Sequence, residues 1–338
     1  MVRPFALLRA GFPYVKTLGM RRCTDFPVDV AVGAEGRIYV LLRQGVIRVW
    51  AFDDYETLPD LVGIGGRGSG DGQFQWPIAV ITDRDENLFV ADEGLHRISS
   101  FSMDGEFLGQ WGEHGDGAGQ LNRPAGIAFD AEENIYVSDA MNHRVQKFTK
   151  DGQFLLSWGE LGDGEGQFNM PWGIDVDELG DVYVVDWRND RLQKFTADGE
   201  FIFKIGGSGN GDDEFKRPTG VAVDGDGDIY VADCGNNKIK LFNEQGRYVQ
   251  GFVGDATLSK VARSYMYGNA QPNRFREMAN LDPEKYFRTP KSVRVDGQGR
   301  MFVPDFQAYR VQVYQKEAIP LDEAHITPEL RSPSLNTV

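Results

Sequence analysis

The stretch "YVSDAMNHRVQKF" at residues 136–148 recurs along the chain and decides the fold. Its other copies are "YVLLRQGVIRVW" (39–50), "FVADEGLHRISSF" (89–101), "YVVDWRNDRLQKF" (183–195), "YVADCGNNKIKLF" (230–242) and "FVPDFQAYRVQVY" (302–314). A proline precedes each copy, with spacings of 50, 47, 47, 47 and 72 residues, at Pro27, Pro77, Pro124, Pro171, Pro218 and Pro290. A repeat of this length that contains only strands is typical of propeller blades. The sequence therefore predicts an all-β, six-bladed β-propeller.

Each repeat reads as four short strands. In the unit that starts at Pro124, the segments "GIAFD", "IYVSD", "RVQKFT" and "QFLLSWG" are rich in apolar, β-branched and aromatic residues and are separated by turns. The C-terminal unit has only three such segments, and "FPYVKTLG" (12–19) resembles the missing fourth. We therefore expect one domain over 12–316, with its last blade closed by an N-terminal strand. Residues 317–338 contain three prolines and predict an irregular tail.

Blade five carries an insertion near 254–287, because its repeat is longer than the others. Leu258, Val261, Ala262 and Tyr265 follow helical spacing, with Asp255 or Thr257 as a start and Gly268 as a stop. The segment "NRFREMANL" predicts a second short helix. We expect the insertion on the channel-mouth face, where it is a lid, a docking element or a surface excursion.

The repeated pattern P-x-G-[IV]-A-[VF]-D … [IV]-Y-V-x-D-x-x-N-[HDN]-[RK]-[VIL] … G-x-[FY] resembles the NHL repeat. The resemblance covers roughly residues 12–316 and implies a six-bladed propeller. It leaves the function open, since the family includes binding domains, sensor domains and a few enzymes.

The composition restricts the partners and the compartment. The net charge of −15 disfavours nucleic acid and anionic lipid. Cys23 and Cys234 are the only cysteines, so no disulfide framework is expected. The first twenty residues lack the apolar run of a signal peptide, and no stretch approaches the ~20 apolar residues of a membrane span. We expect a soluble, cytoplasmic monomer.

Residues at positions that recur from blade to blade are interpreted as structural. The aspartate in the motif recurs at Asp92, Asp139, Asp186, Asp233 and Asp305, which predicts hydrogen bonds to backbone amides or to an arginine of the same blade. His96 and His143 occupy a position held elsewhere by Asp190, Asn237 and Tyr309, so both are expected to be turn residues. "GGRGSG" (65–70) is interpreted as a blade link and "DGDGD" (224–228) as a hairpin turn rather than a calcium loop.

Residues that differ between blades are the candidates for function. Two kinds of loop reach the predicted channel mouth: the turn after the second strand and the link into the first strand. Aromatic and basic residues concentrate there on an otherwise acidic chain, which predicts a site for a protein, a peptide or an anionic small molecule. The alternative is that these arginines pair with the repeated aspartates. The candidate ligand-binding residues are Arg43, Trp76, Glu93, Arg123, Met141, Trp172, Trp187, Arg188, Arg217, Lys291, Phe306 and Tyr309.

Three charged residues replace small or apolar ones in the first strands, which line the channel. Asp29, Asp175 and Arg294 are these exceptions. Blades one and six are neighbours in a closed ring, so Asp29 and Arg294 are expected to form an ion pair, since an unpaired charge there would be costly. The alternative is a catalytic carboxylate in the channel.

Three functions follow as hypotheses. The first is a binding module that uses the aromatic and basic mouth. The second is a channel-sited hydrolase or lyase, because the resemblance extends to the peptidyl-hydroxyglycine lyase, which uses a histidine-bound zinc. The four histidines here do not predict such a zinc site. A calcium ion held by Asp29, Asp175 or Glu93 is an alternative that the sequence leaves open. No other cofactor is expected. Cys234 lacks a visible base for nucleophilic catalysis. The third is RNA binding by local arginines and tryptophans, which the overall charge disfavours.

Overall fold

The computed structural model describes residues 6–21, 23–52, 63–269 and 282–321 and shows six antiparallel blades. The first strands of neighbouring blades contact one another around a central channel, and blade six contacts blade one, so the ring is closed. The strands are β1 (Ala6–Gly11), β2 (Tyr14–Leu18), β3 (Pro27–Val32), β4 (Arg37–Leu42), β5 (Val46–Ala51), β6 (Pro77–Thr82), β7 (Leu88–Asp92), β8 (Arg97–Phe101), β9 (Phe107–Trp111), β10 (Pro124–Phe129), β11 (Ile135–Asp139), β12 (Arg144–Phe148), β13 (Phe154–Trp158), β14 (Pro171–Val176), β15 (Val182–Asp186), β16 (Arg191–Phe195), β17 (Phe201–Gly206), β18 (Gly220–Val223), β19 (Ile229–Asp233), β20 (Lys238–Phe242), β21 (Tyr248–Phe252), β22 (Arg294–Val295), β23 (Arg300–Asp305), β24 (Arg310–Gln315) and β25 (Glu317–Leu321).

The blades follow the predicted four-strand pattern. Blades two to five are the sheets β6–β9, β10–β13, β14–β17 and β18–β21. Blade one has β3, β4 and β5, and Ile64 adds a bridge to Ile47 on the outer side. Blade six is β22, β23 and β24, completed by β2, so the predicted closure by the N-terminal strand is confirmed.

The hydrophobic core lies between the blades. Six clusters of buried apolar side chains occur among the described residues, and each joins two neighbouring blades. The second strands β7, β11, β15 and β19 are buried at every position, because they contact a neighbouring blade on each face. Burial of these strands, at about 25 cal/mol per Å² of apolar surface, is the main force that holds the ring together.

The prediction of an irregular tail is wrong at its start. Residues Glu317–Leu321 form β25, which pairs antiparallel with β1 outside the six blades. Arg9 of β1 is ion-paired with Asp228, and Lys316 contacts Asp224 at 2.6 Å and Asp226 at 2.8 Å. The "DGDGD" turn therefore holds a lysine ammonium group of the chain itself. Residues 322–338 lie outside the described residues.

The insertion of blade five is partly helical where it is described. Helix α1 (Lys260–Tyr267) begins after Ser259, whose hydroxyl accepts the Ala262 N–H, rather than after Asp255 or Thr257, and it ends at Gly268 as predicted. Helix α2 (Asp282–Lys285) follows, and the predicted helix "NRFREMANL" lies outside the described residues.

The described part of the insertion lies along the outer edge of blade six. Val261 packs on the core between blades six and one, and the Asp255 N–H donates to the Tyr314 hydroxyl at 2.9 Å. None of its described residues lines the channel cavities, and residues 270–281 of the insertion lie outside the described residues. Within the described ranges, no helix has the length and apolar character needed to cross a bilayer.

Candidate functional site

The links and the turns after the second strands share one face of the ring. In five blades the proline at the end of the link pairs with the end of the second strand, as in Pro124 with Asp139 and Pro171 with Asp186. We call this side the proline-link face. The side that carries the turns between first and second strands is called the hairpin face.

The repeated aspartates are structural, as the sequence predicts. Their side chains are completely buried, and the carboxylate of Asp139 accepts the Asn122 N–H at 2.6 Å and the Arg144 Nε–H at 2.9 Å. Equivalent amide contacts of 2.6–2.8 Å bind Asp92, Asp186, Asp233 and Asp305. Each aspartate thus fixes a link to its own blade.

His143 and its equivalents join neighbouring blades. The Nδ1 atom of His143 accepts the N–H of Met170 at 3.2 Å, and that of His96 accepts the N–H of Arg123 at 3.0 Å. Asp190 and Asn237 make the same bond to the next blade. Burial lowers the pKa of both histidines, which favours the neutral ring that can accept a hydrogen bond.

The candidate residues of the proline-link face form separate clusters rather than one continuous ring. The Trp76 cluster comprises Arg43, Trp76, Glu93 and Arg123. The buried Glu93 carboxylate pairs with Arg123 at 2.5 Å and with Arg43 at 3.3 Å. Both guanidinium groups also lie over the indole of Trp76, at 5.6 and 5.7 Å from its ring centroid. Glu93 neutralises much of the positive charge here.

The Trp187 cluster comprises Trp172, Trp187, Arg188 and Arg217. The two indole rings lie 5.6 Å apart at 35°. The guanidinium groups of Arg217 and Arg188 lie 5.1 and 5.6 Å from the Trp187 ring centroid, within cation–π range. Both arginines are exposed, and no carboxylate of the described chain pairs with either side chain.

The Phe306 cluster comprises Phe26, Lys291, Phe306 and Tyr309. Phe26 lies 5.1 Å from Phe306 and 4.9 Å from Tyr309, and the Lys291 ammonium group lies 5.6 Å from the Phe306 ring centroid. Phe26 was not among the sequence candidates, although it precedes Pro27 at the position where Arg123, Met170 and Arg217 stand in other blades. Met141 is exposed in the turn of blade three.

The alternative pairing of these cations with the repeated aspartates is wrong. Asp139, Asp186 and Asp305 pair with Arg144, Arg191 and Arg310 of the third strands, and Asp233 pairs with Lys240. The first residue of the third strand is paired with the aspartate across the two strands, as Arg144 is with Asp139, so its side chain is nearer to the carboxylate than the side chains of the link.

The channel is narrow behind the proline-link face. Two positions after the proline, Gly126, Gly173 and Gly220 let neighbouring backbones approach: a Cβ on Gly126 would lie 2.4 Å from the Trp172 carbonyl oxygen. The space left at this level is about 30 Å³. A ligand on this face therefore binds on the surface rather than in the channel.

Asp29 and Arg294 form the predicted ion pair inside the channel. The Asp29 carboxylate is buried and accepts the Arg294 Nη2–H at 2.7 Å, the Ser292 hydroxyl at 2.7 Å and the Val80 N–H at 2.9 Å. Asp175 lies in the same channel and accepts the Val223 N–H at 2.8 Å. Burial raises the pKa of Asp175 to about 6, against the lowering effect of Arg294.

The catalytic candidates do not assemble into a known type of site. Burial raises the pKa of the Cys234 thiol, which suppresses the nucleophilic thiolate. The rings of His96 and His114 lie 4.4 Å apart, and His325 lies outside the described residues. No group of three or more His, Cys, Asp or Glu residues suited to a metal occurs in the described ranges. Glu93 belongs to the Trp76 cluster, where it pairs with Arg123, and not to the channel group of Asp29 and Asp175.

Sequence reasoning missed a cavity at the other end of the channel, which opens on the hairpin face. It has a volume of about 530 Å³ and includes Asp175, Arg294, Asp296, Gln298 and Arg300. The signal was present in the sequence, since three of the six first strands carry alanine four positions after the proline, and alanine leaves space in a channel.

Comparisons with known proteins agree with this architecture. A family model for the NHL repeat matches residues 121–148, and a family model described as a 6-bladed beta-propeller matches residues 173–264. No curated protein matches the chain.

Several solved structures are similar in fold. A streptogramin B lyase structure is 12% identical with a TM-score of 0.56, covering 90% of this chain and 98% of that one. Virginiamycin B lyase from Staphylococcus aureus is 12% identical with a TM-score of 0.56, covering 90% and 99%. A protein of unknown function from Bacteroides thetaiotaomicron is 18% identical with a TM-score of 0.63, covering 91% and 73%. At such identities the likeness concerns the fold alone. With its recurring motif, its six blades and these two matches, the chain is a six-bladed β-propeller that contains repeats of the NHL type.

Proposed function

We propose that the chain is a binding module whose Trp187 cluster recognises carboxylate groups of a partner. The observation that carries the proposal is the pair of exposed guanidinium groups on Trp187, at 5.1 and 5.6 Å, with no carboxylate partner in the described chain. Arginine binds carboxylates through parallel N–H donors, and a stacked arginine is already oriented for this.

The Trp187 cluster is better suited to an anion than the Trp76 cluster. In the Trp76 cluster Glu93 already occupies both arginines. In the Trp187 cluster the carboxylate of Asp190 accepts the backbone N–H of Arg217 at 2.6 Å and the Ser208 hydroxyl at 2.5 Å, which leaves the guanidinium group to a partner. A local cationic patch on a chain of net charge −15 also orients an acidic partner as it approaches.

The partner's carboxylates belong to an acidic protein segment or to a small polycarboxylate, and two probes separate these sources. Fluorescein-labelled hexaglutamate represents the segment, and citrate represents the small molecule as a competitor. Two free cysteines, Cys23 and Cys234, suit a reducing compartment such as the cytoplasm, where we place the protein as a monomer.

The test is a polarisation titration of labelled hexaglutamate at low salt. We expect Arg188→Ala/Arg217→Ala to bind about tenfold more weakly, and high salt to weaken the wild type. Lys204→Ala/Arg247→Ala is the matched control, because it removes two exposed positive charges elsewhere. Equal losses in both double variants, or no loss in the first, contradicts the proposal. Tighter binding of hexauridylate than of hexaglutamate replaces it with RNA recognition.

A further inference from the structure

A cavity lies at the end of the channel opposite to the Trp187 cluster. Its volume of about 530 Å³ falls within the range of small-molecule sites. Its wall is formed by the residues four positions after each blade proline, which are Ala31, Ile81, Ala128, Asp175, Ala222 and Arg294. The three alanines leave the space that larger side chains would fill.

The cavity is open only towards the hairpin face. On its inner side, at Gly126, Gly173 and Gly220, the channel leaves a free volume of only about 30 Å³. The backbones are close there, since a Cβ on Gly220 would lie 2.8 Å from the Ser292 Cα. A ligand must therefore enter from the hairpin face and stop near Asp175 and Arg294.

Among the described residues, the carboxylate of Asp175 is left without a salt bridge, since Arg294 attracts it only from beyond ion-pair distance. Arg294 is committed to Asp29, with contacts of 2.7 and 3.2 Å, and Arg300 is committed to Asp296 at 2.6 Å. Asp175 accepts the Val223 N–H, and no described side chain donates a hydrogen bond to it. A carboxylate has about four acceptor positions, and an uncompensated charge in a partly dry channel is costly.

We propose that this cavity binds a small organic cation, an amine or a guanidine, whose charged group pairs with Asp175. The cavity wall also includes Ile81, Phe129 and Val295, which suit an aliphatic chain. A metal ion is a poorer match, because the described part of the cavity wall offers no set of three acidic, histidine or cysteine ligands. This site lies on the other face of the ring and does not rest on the proposed function of the Trp187 cluster.

The experiment uses n-butylammonium as the probe, with n-butanol and butyrate as its neutral and anionic counterparts. Ligand-observed NMR with the full chain at pH 7.5 measures binding. We expect the order butylammonium, then butanol, then butyrate, and a loss of about tenfold for butylammonium in Asp175→Asn. Because a chain of net charge −15 attracts cations everywhere, the comparison with the variant identifies the site.

A second variant tests the cavity without changing its charge. Thr82 lines the cavity, is half-buried and lies outside the clusters between blades, so we expect Thr82→Leu to reduce the space and lose butylammonium binding while the ring stays folded, as circular dichroism and the melting temperature report. The wild-type protein should also bind butylammonium more weakly at pH 5 than at pH 7.5, because Asp175 becomes protonated. The affinity of Asp175→Asn should be the same at the two pH values. The proposal is overturned if butylammonium does not bind, if butyrate binds more tightly, or if both folded variants bind like the wild type.

Discussion

The carboxylate of Asp29 in blade one accepts two hydrogen bonds from the guanidinium group of Arg294 in blade six, at 2.7 and 3.2 Å. The pair lies at the seam where the first and last blades meet. Asp29 is 2% exposed, and Arg294 is the cation that contacts its buried carboxylate. The ring is therefore closed in two ways, by β2 in the outer position of blade six and by an ion pair at the channel.

Removal of Arg294 should open this seam. We expect Arg294→Ala to lower the free energy of unfolding by about 3 kcal/mol, because it leaves a buried carboxylate without its cation. Urea unfolding measures the change. The double variant Asp29→Ala/Arg294→Ala should lose less than the sum of the two single variants. Strict additivity would show that the two groups do not interact.

The channel glycines should tolerate no side chain. A Cβ on Gly126 would lie 2.4 Å from the Trp172 carbonyl oxygen and 2.9 Å from the Ile174 nitrogen. We expect Gly126→Ala to cost about 2 kcal/mol, since neighbouring blades must move apart. Gly66→Ala is the control, because its Cβ meets nothing within 4 Å, and it should stay within about 0.5 kcal/mol. Equal melting temperatures for the two variants would refute the close packing of the first strands.

The bond between His143 and Met170 should make stability depend on pH. Burial lowers the pKa of His143 in the folded state, so the unfolded chain binds the proton more readily. This contribution is fully present above the unfolded pKa of about 6.5 and is lost as the pH falls from there through the lower pKa of the folded state. His143→Asn keeps an acceptor, as Asn237 does in blade five, where it accepts the Thr289 N–H. We expect the variant to match the wild type at pH 7.5 and to lose less melting temperature on going to pH 5.

Asp175 should give the opposite dependence. Its pKa is raised to about 6 by burial, so the folded chain holds the proton more tightly than the unfolded chain. The charged carboxylate therefore lowers stability above pH 6, and the effect disappears as the pH falls below about 4. We expect Asp175→Asn to be more stable than the wild type by about 1–2 kcal/mol at pH 7.5 and equal to it near pH 4. Urea titrations at the two pH values provide the comparison. A variant that is less stable at pH 7.5 would show that the carboxylate has a cationic partner.

The repeat made most of the fold predictable. The spacing of the prolines fixed the number of blades, and the absence of a fourth strand after Pro290 indicated closure by "FPYVKTLG". The recurrence of Asp139 in other blades showed that it is structural, since a catalytic residue is needed only once. The Asp29–Arg294 pair was predictable because both residues break the pattern of the first strand and lie in neighbouring blades.

Other features depend on contacts that no local pattern encodes. Strand β25 forms only because β1, from the other end of the chain, lies beside it, and a two-stranded sheet tolerates Pro320 at its edge. The difference in charge between the Trp76 and Trp187 clusters depends on the Glu93 carboxylate, which contacts both Arg43 and Arg123. The wide end of the channel was missed because the glycines that narrow the other end act through the backbone of the neighbouring blade.

The central claim is that residues peculiar to single blades form a binding site on the proline-link face. Incorporation of 5-fluorotryptophan gives one ¹⁹F reporter at each of the six tryptophans, which single-site substitutions assign. On titration with hexaglutamate, we predict that the resonances of Trp172 and Trp187 shift together. Trp50 is buried in the core, and Trp111 and Trp158 lie in outer strands, so these three should not respond. Shifts confined to Trp111 or Trp158, or no shift at all, would contradict the account.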